Sequence, residues 1–177
     1  AFTATDDVND TYRHEVQMGL YKYYGSRIGL IAPNGIWERK SHKNLIKACQ
    51  LEWGASADGV WGPGTMNAAP TLSRNTSGYT NSKRLLQWCL AINGFYPGGF
   101  TGTFGDGTYN AVYSFQNLME LGADGIAGKN TWASLLSSCG NTDRATTAFD
   151  TATRLTAATA RAMKNSGYTE VGRYLTN

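Results

Sequence analysis

Apolar residues recur with helical spacing along most of the chain. Val16 to Tyr24 and Lys83 to Asn93 each carry one apolar stripe and are stopped by a glycine, Gly25 and Gly94. Leu45, Ile46, Cys49 and Trp53 fit one buried helix face, and so do Ala111, Val112, Phe115, Leu118 and Met119. Two shorter helices are predicted to start near Pro63 and Lys129, with Met66, Ala69 and Leu72, or Trp132, Leu135 and Leu136, turned inward. The order in each half is helix, loop, helix, tight turn, short helix, which predicts two miniature three-helix bundles. Ser73 to Gly78 is polar and aperiodic and reads as a linker, and a second linker is expected to follow Ser137.

Beneath this pattern lies a repeat. Gln50 followed by Ala57-Asp58-Gly59 returns 66 positions later as Gln116 followed by Ala123-Asp124-Gly125, and Gly62 and Thr65 return as Gly128 and Thr131. A shorter phrase, from a Gly to a Ser or Thr six residues on, occurs four times: Gly35 to Ser41, Gly59 to Thr65, Gly102 to Thr108 and Gly125 to Thr131. Its first Gly suits a positive φ after a helix, its second suits an N-cap, and Pro63 falls at a first helical position where a missing N–H costs nothing. Gly128 is expected to sit in a turn with special backbone angles, so that a β-branched residue there would destabilise the second bundle.

Composition narrows the class. With 177 residues, 41% of them hydrophobic, the chain has surface to bury, whereas 16% charged is low and 21 glycines are many, a balance that looks secreted rather than cytosolic. A net charge of +3 without a dense basic run makes nucleic acid a weak partner. No stretch has the length of a membrane span, and the first residues lack a signal-peptide pattern, so the chain is expected to begin after processing or trimming. Cys49, Cys89 and Cys139 lack metal-type spacing and read as buried thiols, or as one bridge and a free thiol. His14 and His42 stand alone, with surface or capping roles expected, and Asp58 and Asp124 read as turn formers rather than calcium ligands. No metal site, cofactor site or catalytic triad can be assembled from the first 136 residues.

The phrases resemble tandem peptidoglycan-binding domains of type 1, small three-helix modules of cell-wall enzymes. The second half carries most of that pattern: Leu86-Gln87, Gly102-Thr103-Phe104-Gly105, Thr108, Ala111-Val112, Phe115-Gln116, Asp124-Gly125, Gly128 and Thr131-Trp132. The first half departs from it at Val16, Glu38 and Cys49. The resemblance implies that glycan strands and stem peptides are the partners. Sugar faces would stack on rings, and Trp61 and Tyr109 are the candidate ligand-binding residues, one in a turn and one early in a helix.

The tail differs. From Thr146, Ala and Thr dominate, Thr147 to Asp150 reads as extended, Thr156 to Gly167 as a helix, and Tyr168 to Leu175 as a second strand. This segment resembles the opening βαβ unit of a glycoside-hydrolase-like (β/α)8 domain related to barrel lysozymes, which implies a catalytic role for Asp150 at the end of the first strand. The expected fold class is therefore mainly α, two tandem three-helix bundles plus a truncated strand-helix-strand fragment of an α/β barrel. The expected divisions are an extension at 1–11, modules at 12–72 and 82–136, linkers at 73–81 and 137–145, and a barrel start at 146–177. Alone, the chain is expected to bind bacterial cell wall without cutting it and to target an attached muramidase-type domain. The rival expectation is a structural or protein-interaction module of a phage particle or secreted assembly.

Overall fold

A computed structural model describes residues 4–29, 32–137, 148–151 and 170–173. The chain divides into two compact units, Ala1–Asn141 and Thr142–Asn177. The first unit holds α1 (Ala4–Tyr23), α2 (Arg39–Trp53), α3 (Pro63–Ala68), α4 (Thr80–Ile92), α5 (Asp106–Leu118) and α6 (Lys129–Ser137). The helix order follows the periodicity in both halves, and α1 begins well upstream of the apolar stripe that announced it. The described residues are mainly helical.

One core cluster runs through both halves, from Val16 and Leu20 of α1 to Leu135 and Leu136 of α6. Three kinds of contact join the halves. Helices α1 and α4 cross so closely that a side chain at Gly19 would run into the Trp88 ring. Residues Leu72 and Ala127 form an antiparallel bridge with reciprocal N–H to carbonyl bonds of 3.1 and 2.9 Å. Finally Trp132, fully buried on α6, donates its indole N–H to the Pro70 carbonyl at 2.8 Å and meets Trp53 of α2 edge to face at 4.9 Å.

Several inward positions prove to be outward ones. Met66, Leu118 and Met119 are exposed, because α3 has only six residues and its inner side is taken by Thr65, while the last two lie where α5 ends and the chain reverses. His42 is buried rather than at the surface or a cap: its Nε2 lies 2.6 Å from the Leu136 carbonyl, and burial holds its pKa below the ordinary histidine value. His14 is exposed. Cys49 and Cys89 are buried free thiols, with burial pushing Cys49 well above the ordinary thiol range, and Cys139 lies outside the described residues. Gly128 has ordinary backbone angles and open space around its Cα, so the special conformation expected of it belongs instead to Gly125, at φ 70°.

In the second unit, β1 (Ala148–Thr151) and β2 (Glu170–Arg173) pair in parallel, with Phe149 opposite Val171 and Asp150 opposite Gly172. Strand β2 lies within the segment Tyr168 to Leu175 read as extended, whereas β1 overlaps Thr147 to Asp150 and ends one residue beyond it. The helix expected between them lies outside the described residues.

Candidate functional site

The four phrases fold into four copies of one device, a buried glutamine that clamps a glycine turn to the start of the next helix. In the second copy the Gln50 Oε1 accepts the Gly59 N–H at 2.8 Å, while Nε2 donates to the Val60 carbonyl at 3.0 Å and the Thr65 Oγ1 at 2.8 Å. The fourth copy repeats this with Gln116, Gly125, Ile126 and Thr131 at 2.8, 2.9 and 3.0 Å. The third uses Gln87, Gly102, Thr103 and Thr108 at 2.9, 2.9 and 3.0 Å. The first uses Gln17, Gly35, Ile36 and Ser41 at 2.8, 2.7 and 3.2 Å.

Physical chemistry explains each part. The clamp glycines take φ of 79°, 75°, 76° and 70°, a left-handed conformation that side chains resist. The glutamines are at most 2% exposed, and their amides satisfy turn groups that burial would otherwise leave unpaired, at a cost of about 1–3 kcal/mol each. Asp58 and Asp124 close their turns, each Oδ1 accepting the N–H two residues on at 2.8 Å and the clamp glutamine Nε2 as well. The Val60 N–H, followed by Gln50, holds the Asp58 carboxyl below its ordinary range. Both aspartates are turn formers. A covering residue stands seven positions before the glutamine on the same helix face: Lys43 over Gly59, Thr80 over Gly102 and Tyr109 over Gly125.

Two grooves open beside these clamps. At the fourth clamp a groove of about 550 Å³ is lined by Glu120, Leu121, Asp124, Ile126, Lys129 and Asn130, a charged rim with both signs. At the third, one of about 320 Å³ is lined by Pro97, Gly98, Gly99, Thr101, Thr103 and Thr108, with no ionisable side chain in its lining. Among the described residues no three His, Cys, Asp or Glu side chains come together as a metal site, and no helix is long and apolar enough to cross a membrane.

The residues singled out from sequence lie elsewhere. Trp61 is half-buried and meets Trp53 edge to face at 6.3 Å, as the outer member of an aromatic chain leading to Trp132. Tyr109 is half-buried against Gly125, with the Arg74 guanidinium 3.9 Å from its ring centre and bonded to Asp106 at 2.7 Å. Neither lines either of these two grooves, and they belong to different halves. Asp150 lies on β1 in register with Gly172.

Residues 81–135, which hold the third and fourth clamps, match the family model "Putative peptidoglycan binding domain". This segment is a peptidoglycan-binding domain. Over 172 residues the chain is 41% identical to the uncharacterized protein YbfG of Bacillus subtilis, which covers 94% of this chain and 23% of that protein. It is 31% identical over 120 residues to the N-acetylmuramoyl-L-alanine amidase CwlL of Bacillus licheniformis, covering 51% of this chain and 33% of that one. A 46-residue stretch is 50% identical to the spore cortex-lytic enzyme of Bacillus cereus, covering 26% and 18%. The chain spans about a quarter of the length of the curated relatives it matches over most of its own sequence. No solved structure matches it. The peptidoglycan-binding domain is thus shared with parts of cell-wall hydrolases.

Proposed function

We propose that the chain binds peptidoglycan through two tandem modules, residues 12–72 and 82–136 joined by 73–81, and so holds an attached hydrolase on the bacterial wall. The observation that carries this is the match of 81–135 to the peptidoglycan-binding family, together with the reappearance of its clamps, bond for bond, in the first half. Two modules on one chain raise the effective concentration of the second at the wall. Trp61 and Tyr109 are ring contacts for the wall in this reading, and the protein acts outside the cell.

The attached activity is a muramidase-type glycoside hydrolase of barrel form. The parallel pairing of β1 and β2 supports it, because parallel neighbours need a crossover between them. Asp150 is then one of the two carboxylates that glycoside hydrolysis requires.

Sedimentation with purified sacculi tests the binding reading. The chain should pellet with sacculi, and a chain left in the supernatant would overturn it. For the enzyme, the protein at the full length of its relatives should clear sacculi and lose that activity on Asp150→Asn, and unchanged clearing would remove Asp150 from catalysis.

A further inference from the structure

The surface beside the third clamp combines two features that no packing requirement explains together. Three rings meet there: Tyr12 stacks on Tyr96 with centroids 4.2 Å apart and planes 12° from parallel, and Phe100 stands edge-on to both at 6.5 and 6.0 Å. Tyr96 stays 45% exposed. Between Tyr96 and Phe100 the chain runs through Pro97, Gly98 and Gly99, which form one side of the uncharged groove. That side is held in place, since Gly107 at the start of α5 lies so close to the Pro97 carbonyl that a side chain there would strike it.

We propose that this groove and the Tyr12–Tyr96–Phe100 cluster form a subsite for an uncharged N-acetylated sugar ring of the glycan strand. The inference rests on the wall-binding reading above and adds which component of the wall is held, and where. Three chemical arguments select a sugar. A pyranose presents a C–H face that packs on an aromatic ring, while its hydroxyls and acetamido group need neutral donors and acceptors at the rim. The exposed Thr101 and Thr103 supply hydroxyls, and Gly98 and Gly99 expose backbone without a Cβ in the way. A charged stem peptide would find no counter-charge in this lining and would lose solvation on entering, whereas the groove at the fourth clamp carries Glu120, Asp124 and Lys129.

The subsite is composite. Tyr12 comes from α1, outside the 81–135 segment that matches the family, so the platform exists only where the two halves pack together. The two halves therefore make one binding surface at this point.

The test uses the 177-residue chain and glycan strands freed of stem peptides by amidase digestion of sacculi, with the released stem peptides as the second probe. The strands should shift the backbone amide resonances of Gly98, Gly99, Thr101 and Thr103, and the peptides should leave them in place. Tyr96→Ala and Tyr12→Ala should each weaken strand binding about 3- to 10-fold, the range of one aromatic contact, while Tyr96→Phe stays near the parent. Strands that shift other resonances only, or variants that remain helical and bind like the parent, would overturn the subsite. Sacculi that bind while free strands do not would overturn it too and leave the wall-binding reading standing. Failure of sacculi and strands alike would remove both. Because the resonance shifts are read on the unaltered chain, the result holds even if an alanine variant misfolds.

Discussion

The second and fourth clamps are the same device in different surroundings. Their corresponding hydrogen bonds differ by no more than about 0.3 Å, with Gln50, Asp58, Gly59 and Thr65 matched by Gln116, Asp124, Gly125 and Thr131. Around them almost everything has changed. Lys43 covers the first glycine and Tyr109 the second, Trp61 answers to Ala127, and the left-handed residue that ends the preceding helix is Gly54 in one and Glu120 in the other. What stays fixed is what the backbone needs, and what varies is the surface on which recognition can be written.

The largest effect should separate the two covers. Gly125→Ala combines a positive φ with a collision against the rigid Tyr109 ring and should cost about 3 kcal/mol or more, whereas Gly59→Ala, also at positive φ, meets the movable Lys43 side chain and the Lys43 carbonyl and should cost less, about 2 kcal/mol. Equal losses in denaturant unfolding would show that the cover is irrelevant. Next, Gln50→Met and Gln116→Met should each cost about 2–3 kcal/mol, since each strands a buried glycine N–H in similar volume and leaves the threonine hydroxyl only its bond to the turn carbonyl. A difference well above 0.5 kcal/mol between them, a threshold of roughly the scatter of independent sites, would break the equivalence of the clamps. Smaller and of opposite sign, Glu120→Gly should stabilise by about 0.5–1 kcal/mol by removing a side chain from φ 53°. The smallest change should come from Gly128→Ser, within about 0.5 kcal/mol of the parent, because that glycine has room and ordinary angles.

The contrast between Gly125 and Gly128 also shows where sequence reading runs out. The four-fold phrase was legible because glycine is nearly obligatory at a left-handed turn, and all four first glycines adopt one. The second glycine of the phrase is an N-cap, where glycine is merely one acceptable residue, as Glu38 in the first copy demonstrates. The glutamine clamp was harder to see as a four-fold feature. Its partner glycine lies 18, 9, 15 and 9 residues downstream in the successive copies, so loops of unequal length hide the constant geometry. The burial of His42 is illegible locally because its acceptor is a carbonyl 94 residues away, which no local pattern announces. The aromatic platform is hidden for the same reason, since Tyr12 and Tyr96 meet only through the packing of α1 beside the second half. A turn position recommends Trp61 and a place early in a helix recommends Tyr109, yet each is held by neighbours of its own, Trp53 and Arg74.

The contact of Trp132 with Pro70, 62 residues apart, has a consequence in time. A growing chain leaves the ribosome from its N-terminus, and an independent first half would close its core while the second was still being made. Here the two halves share one core, and its largest fully buried side chain arrives with α6, near the end of the unit. The Pro70 carbonyl and the Trp53 ring gain this partner only after α6 has been synthesised. The seam between the halves is therefore completed last, so that the unit is finished as one body although it is written as two.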